Sequence, residues 1–454
     1  MRKANILDSD FYLADLFVDD KDTQKIEDDS TIRDNLFVTY QNQGYKIAKE
    51  NIKQMFDATI NIRSKDTYQQ FWKRYKRPPI KEFQEYIIER RDLLVPQDIR
   101  ERKGAFFTPR KWVELSQKYL TDYLGENWQD EYYIWDCAAG TGNLLAGLTN
   151  KYNIWASTLD QADVNVMHER IEHGANLLDS HVFQFDFLND DFTKLPQGLQ
   201  DIINDEEKRK KLVIYINPPY AESGSTKQKT SKKGVSNETE AHKKFFAKMN
   251  TFAKRELYAQ FLMRIYTEIP NCLIANFSKL KNLQSPYFSE FQDVFRAKLE
   301  KIFLVPANTF DNVKGEFPIG FFIYNCSKDE RFKEIISDVY SANGQFQENK
   351  TIFSFEPPYI NDWLRPTWKM MPSNLGFLAC NSNDFQNQNG VFIETIKKNQ
   401  TSTYFKPIHP SNLIESCVYY SVRKAIRATW LNDRDQFLSP NEKWATDKEF
   451  RSDC

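Results

Sequence analysis

Apolar positions change their period along this chain, and the changes divide it. From about 36 to 100 they recur at helical spacing: Ile47, Ile52, Met55 and Phe56, then Phe71, Trp72 and Tyr75. The stretch 82–88 opens after Pro78-Pro79 and predicts another helix. From 132 onward the apolar residues fall in short dense runs bounded by Gly, Asp, Asn or Pro, as buried strands do. Such runs at 132–136, 154–159, 182–185 and 212–216 predict four strands of a doubly wound α/β sheet. Residues 256–266 predict an amphipathic helix and 272–277 another strand. The runs 299–305 and 317–325, joined by the turn-rich 308–315, predict a terminal hairpin. The count is about seven strands between 132 and 325.

Length and composition narrow this picture. A chain of 454 residues has room for two or three domains. The expected layout is an acidic arm and helical N-terminal domain over 1–100, an α/β domain over 101–335, and a distinct region over 336–454. That last region is rich in Asn, Gln and aromatics. Within it, 421–430 predicts a helix bearing three basic residues. Its polar ending, Asp-Lys-Glu-Phe-Arg-Ser-Asp-Cys454, reads as though a larger partner or a further segment should follow. The net charge of −1 provides no global field for nucleic acid, so such affinity must come from local patches. Six scattered cysteines without a CxxC pair, and five histidines, argue against a zinc site or a disulfide framework and fit a reducing cytoplasm. The N-terminus lacks an apolar h-region, and no apolar run approaches the ~20 residues that span a bilayer. A soluble cytoplasmic protein with no membrane partner is expected.

The chemistry gathers at the strand ends. The run Leu212–Ile216 stops at Asn217-Pro218-Pro219-Tyr220. Adjacent prolines cannot donate to a ladder and each fixes its own φ, so the turn is stiff. It presents an amide (Asn217), an unpaired carbonyl (Pro218) and an aromatic face (Tyr220). Those groups suit a flat, amine-bearing ring; an ordinary strand-ending turn is the plain alternative. The first strand ends at Asp136 and continues as Cys137-Ala138-Ala-Gly140-Thr-Gly142-Asn143. Two glycines let that loop turn tightly and approach a bound molecule, although Gly-x-Gly lacks a third glycine. The second strand ends in Asp160, about twenty residues on, where doubly wound folds bind ribose hydroxyls. A helix N-cap is the other reading of Asp160. The third strand ends at Asp186. Upstream, Thr108 and Pro109 read as the N-cap and first residue of a helix, and Phe106, Phe107 and Thr108 as a pocket wall. Downstream of Tyr220, residues 224–255 hold nine Lys or Arg against two Glu: a solvated surface, or phosphate contacts beside the pocket. A search of the N-terminal region for paired acids and a Lys beside a strand gives no convincing nuclease motif.

In this order the elements resemble the S-adenosylmethionine-dependent amino-methyltransferases of DNA, in the gamma arrangement of bacterial restriction-modification enzymes. The matching residues are Phe106-Phe107-Thr108-Pro109, Asp136 through Asn143, Asp160, Asp186 and Asn217-Pro218-Pro219-Tyr220, across roughly 100–325. Cys137 stands where the family often has a proline. The resemblance implies a seven-stranded Rossmann-like methyltransferase domain over 101–335, with 336–454 a partial target-recognition or partner-binding region. It implies S-adenosylmethionine as cofactor, held by Phe106, Thr108, Asp136, Ala138, Gly140, Gly142, Asn143, Asp160, Asp186 and Asn217. It implies Asn217, Pro218, Pro219 and Tyr220 as catalytic, double-stranded DNA as substrate, and a restriction or specificity subunit as partner. The implied reaction is methylation of the adenine N6 amine. Cytosine N4 methylation, glutamine or RNA methylation, and a modification component inactive alone are the alternatives. Methylation of cytosine carbon 5 needs a Pro-Cys nucleophile, and the chain has no Pro-Cys dipeptide.

Overall fold

The computed structural model describes residues 108–172, 175–220, 239–246, 252–310, 313, 315–369, 371–395 and 405–454. The expected acidic arm, helical N-terminal domain, Phe106 and Phe107, and most of the basic stretch 224–255, lie outside the described residues. Two compact units divide the chain: Met1–Gln117 with Leu124–Glu240, and Lys118–Tyr123 with Ala241–Cys454.

The first unit carries β1 (Tyr133–Asp136), β2 (Ile154–Thr158), β3 (Val182–Gln184) and β4 (Leu212–Ile216). They run parallel in the order β3-β2-β1-β4. All five residues of β4 are fully buried, which explains their uninterrupted apolar run: a parallel strand is covered on both faces. The run ends at Asn217 because Pro218 and Pro219 have no N–H to continue a ladder. Two strands stop one residue short of the sequence reading. Leu159 lies beyond β2 and is 55% exposed, and Phe185 lies beyond β3 although its N–H still bonds the Thr158 carbonyl.

Helix α1 (Arg110–Leu124) packs Trp112, Val113 and Ser116 into the interior, and Ser116 Oγ meets Tyr215 Oη at 2.5 Å. Its first N–H groups, from Trp112 and Val113, bond the Pro109 carbonyl. The helix therefore begins one residue later than the sequence predicts, and Pro109 stands in the cap position. Helix α2 (Gln161–Glu172) follows β2. Helix α3 (Gln197–Asn204) buries Leu199, Ile202 and Ile203, three positions on one helical face.

Gly198 in α3 sits against Trp155: a Cβ there would lie 2.9 Å from the ring carbon Cη2. Gly198→Ala should therefore destabilise. The clash costs about 1–3 kcal/mol, more than the at most ~1 kcal/mol that alanine gains in helix propensity. A lowered urea midpoint with an unchanged m-value is the expected result, and a raised midpoint would show that the ring yields freely.

The second unit holds β5 (Leu273–Lys279), β6 (Ala297–Pro306), β7 (Pro318–Asp329), β8 (Glu334–Tyr340) and β9 (Phe346–Phe353) in the order β5-β7-β6-β8-β9. β6 and β7 pair antiparallel as a hairpin, β7 also pairs antiparallel with β5, and β8 runs parallel to β6. Phe277 packs against Phe303, Phe310 and Phe321 at centroid distances of 6.1, 5.8 and 4.9 Å, so much of the phenylalanine here is core. Helix α4 (Leu257–Glu268) is buried along most of its length. A three-stranded antiparallel sheet, β10 (Gly376–Ala379), β11 (Phe392–Glu394) and β12 (Phe405–Ile408), accompanies helix α5 (Leu413–Ala425).

The helix expected over 421–430 is corrected by α5, which starts earlier and ends at Ala425. Of its three basic residues, Arg427 lies beyond the helix and Arg423 is fully buried. The Arg423 guanidinium donates to the Ser382 carbonyl and the Tyr419 hydroxyl and lies over the Phe437 ring, so it belongs to a core. Among the described residues no helix is long and apolar enough to cross a membrane, and no cluster of side chains could hold a metal ion.

Candidate active site

The strand order places the candidate residues. From β1 the chain moves outward to β2 and β3, then returns to lay β4 on the other side of β1. Open α/β sheets form a crevice at such a reversal, above the carboxyl ends of the two strands that flank it. Those ends here are the Asp136–Asn143 loop after β1 and Asn217–Tyr220 after β4. The ends of β2 and β3 place Asp160 and Asp186 along the same edge.

Asn217 is held from two sides. Its Nδ2 donates to Thr108 Oγ1 at 2.8 Å, and its Oδ1 accepts from the Tyr220 hydroxyl at 2.5 Å. These two bonds hold the amide plane in place. Pro218 is buried, and Tyr220 is 6% exposed. Burial pushes the Tyr220 phenol far above its ordinary range, so it remains a donor at any physiological pH.

The loop after β1 turns through Gly140 at φ +52° and Gly142 at φ +82°. A Cβ at Gly140 would meet nothing within 4 Å, so open space lies against that backbone. A Cβ at Gly142 would lie 3.3 Å from Met167 Sδ, so that glycine is required both by its φ and by close packing. The Ala139 N–H is tied to the Ser157 carbonyl. Asn143 donates to Thr141 Oγ1 at 3.2 Å.

Asp136 is 1% exposed, and its Oδ1 accepts the Ala138 N–H at 3.0 Å. Burial raises its carboxyl from 3.8 to about 8, against a smaller opposing effect of that N–H. The folded state thus favours the neutral acid. Its contribution to stability is complete below 3.8 and is lost as pH rises from there through about 8. Urea midpoints measured across that window should fall with pH, and Asp136→Asn should flatten the fall. An identical slope in the variant would remove Asp136 as its source.

Asp160 precedes α2, and its carbonyl accepts the Asp163 and Val164 N–H groups. The backbone of Asp160 thus caps the helix, while its half-buried side chain lies at the strand end. Asp186 is more committed. Oδ1 accepts the Leu188 N–H at 3.1 Å and Oδ2 accepts Asn189 Nδ2 at 2.7 Å.

No protein-family model and no curated protein matches the sequence. Solved structures are similar at low levels. The cryo-EM structure of a DrdV–DNA complex matches at TM-score 0.45 and 15% identity, covering 84% of this chain and 42% of that one. The methyltransferase subunit of a type I restriction-modification system from Streptococcus thermophilus matches at 0.39 and 16%, covering 79% and 85%. A putative class I S-adenosylmethionine-dependent methyltransferase from Listeria monocytogenes matches at 0.37 and 12%, covering 73% and 91%. This chain therefore spans less than half of the DrdV chain. At such values the function has to be argued from the chain's own residues.

Two residues of the site, Arg170 and Asn189, are absent from the sequence reading, and a third has a contact that the reading does not show. Arg170, on α2, donates from Nη1 to the Thr141 carbonyl at 2.6 Å and to Asn143 Oδ1 at 3.0 Å, which braces the glycine loop. Asn189 bonds Asp186 and accepts the Glu240 N–H at 3.0 Å. Thr108 enters the sequence reading as a cap and pocket wall, but its hydroxyl orients Asn217 across 109 positions. A basic residue at the end of a helix is a weak signal, Asn189 has none, and the pattern at Thr108 marks a cap and pocket wall without its partner.

Proposed function

We propose that this protein is an S-adenosylmethionine-dependent methyltransferase acting on the N6 amine of adenine in double-stranded DNA, within a restriction-modification system. The observation that carries this reading is the meeting of two elements at the reversal of strand order. A glycine loop ends β1, and an amide held by two hydroxyls ends the neighbouring β4. The layout that goes with it is a helical N-terminal domain over 1–100, a seven-stranded catalytic core within 101–335, and a recognition or partner-binding region from 336. A cytoplasmic location and a restriction or specificity subunit as partner belong to the same proposal.

The residues fit the cofactor. Open space against Gly140, a half-buried acid at the end of β2 and the Asp136–Asn143 loop suit a nucleoside with a charged tail. In this assignment Asp160 takes the ribose hydroxyls and Asp186, steadied by Asn189, takes the adenine amine. Phe106, Thr108, Asp136, Ala138, Gly140, Gly142, Asn143 and Asn217 line the remainder. The cofactor supplies an activated methyl group, so the protein needs no covalent nucleophile.

The protein's part is to position the accepting amine. Asn217 Oδ1 and the Pro218 carbonyl each accept one N–H of the exocyclic amine. Two fixed acceptors draw the nitrogen towards the pyramidal geometry in which its lone pair is available, an effect of preorganised dipoles. Pro218 and Pro219 keep that carbonyl aimed. Tyr220 serves twice in this account: its hydroxyl holds Asn217, and its ring, almost fully covered in the free protein, is the face on which a base flipped from the duplex would stack once uncovered. Label from tritiated cofactor should enter duplex DNA. Label entering only tRNA or a release factor would replace the substrate assigned here.

A further inference from the structure

The second unit contains a cavity of about 390 Å³ that the proposed methyl transfer does not use. Its walls come from the end of β6, the connector that leads to β7, the β8–β9 hairpin and the segment around Trp430. Buried Val339 forms part of the lining, and Asn308, Gln347, Glu316 and Glu348 bring polar groups to it. Glu316 and Glu348 are exposed and, among the described residues, neither forms an ion pair. The Trp430 indole stacks on no ring and makes no hydrogen bond among the described residues.

The segment that presents this indole is firmly held. Thr429 N–H donates to Asn432 Oδ1 at 2.7 Å, and Asn432 Nδ2 donates to the Arg427 carbonyl at 3.1 Å. Lys350 Nζ reaches from β9 to the Leu431 carbonyl at 3.1 Å and to Asp435 Oδ2 at 2.6 Å. The cavity is therefore lined by residues that carry an indole, two carboxylates without an ion pair among the described residues, and two side-chain amides.

We propose that this cavity receives the guanidinium of an arginine from a partner polypeptide. A planar cation stacks favourably on an indole face. Its fork of N–H donors matches carboxylate and amide oxygens in a way that a lysine ammonium does not. The two unpaired glutamates repel phosphate, so a nucleotide or a DNA backbone is a poor occupant. Charge complementarity thus points to a basic segment of a protein. The inference does not depend on the chemistry assigned to Asn217.

The test uses the full chain and two capped peptides, Gly-Arg-Gly and its citrulline counterpart, which keeps the shape of arginine without the charge. Binding is read as the tryptophan fluorescence change that is lost in Trp430→Phe. The arginine peptide should saturate with a dissociation constant on the order of 1 mM. Citrulline should bind at least about tenfold more weakly, as should the arginine peptide to the Glu316→Gln/Glu348→Gln double variant, and added salt should weaken the interaction. Equal binding of citrulline, no saturable change up to about 10 mM of the arginine peptide, or tighter binding of a nucleoside monophosphate would each overturn the proposal.

Discussion

Asn217→Ala should abolish methyl transfer while leaving cofactor affinity nearly intact. The variant removes one of two acceptors that hold the amine, and losing a preorganised hydrogen-bonding group of this kind lowers turnover by at least about a hundredfold. It also leaves the Tyr220 hydroxyl without its Asn217 partner and the Thr108 hydroxyl without a donor. Stability should fall by about 1–2 kcal/mol for that reason, too little to unfold the chain. Calorimetric titration with S-adenosylmethionine and single-turnover transfer, run on the same preparation, separate the two effects. Turnover within about tenfold of the parent would refute the role given to Asn217.

Trp135→Ala should do the reverse, losing stability and sparing the chemistry of each folded molecule. Trp135 is fully buried on β1, next to Asp136. Its ring packs edge-on against Phe187 and Phe192 at 5.6 and 6.0 Å, and its Nε1 donates to Ser157 Oγ at 3.0 Å. Truncation removes a large apolar surface, opens a cavity and leaves that hydroxyl without its donor. The expected loss is about 3–5 kcal/mol, a large share of the ~5–15 kcal/mol that stabilises a typical domain. Urea denaturation with and without cofactor measures it. Saturating cofactor should recover part of the loss, because a ligand that binds only the folded chain stabilises it by mass action. A shift under 1 kcal/mol would mean that the aromatic cluster around β1 repacks freely.

The central strands and the positions of the candidate residues were legible because burial writes itself plainly into sequence. β4 is covered on both faces, so it reads as Leu-Val-Ile-Tyr-Ile, and Pro218-Pro219 marks where it must stop. Gly140 and Gly142 announced a turn, and both adopt positive φ. What the sequence does not display is contact between distant side chains. No periodicity links Thr108 to Asn217, or Arg170 to Thr141, because a single hydrogen bond between remote residues imposes no spacing on either. Asp186 carries no local sign that both its oxygens are engaged. β8 and β9 were hidden for another reason: β9 reads Phe-Gln-Glu-Asn-Lys-Thr-Ile-Phe and is exposed at nearly every position, so it lacks a buried strand's apolar run. The helix near Arg423 was misplaced because a buried arginine resembles a surface one until its partners, the Phe437 ring and the Ser382 carbonyl, are known.

The most direct test is chemical. Unmethylated duplex DNA is incubated with the full chain and labelled S-adenosylmethionine, then digested to nucleosides and separated. The account predicts label in N6-methyldeoxyadenosine, and none when Asn217→Ala replaces the parent chain. Label in N4-methyldeoxycytidine, or no label in DNA while cofactor binds, would contradict it.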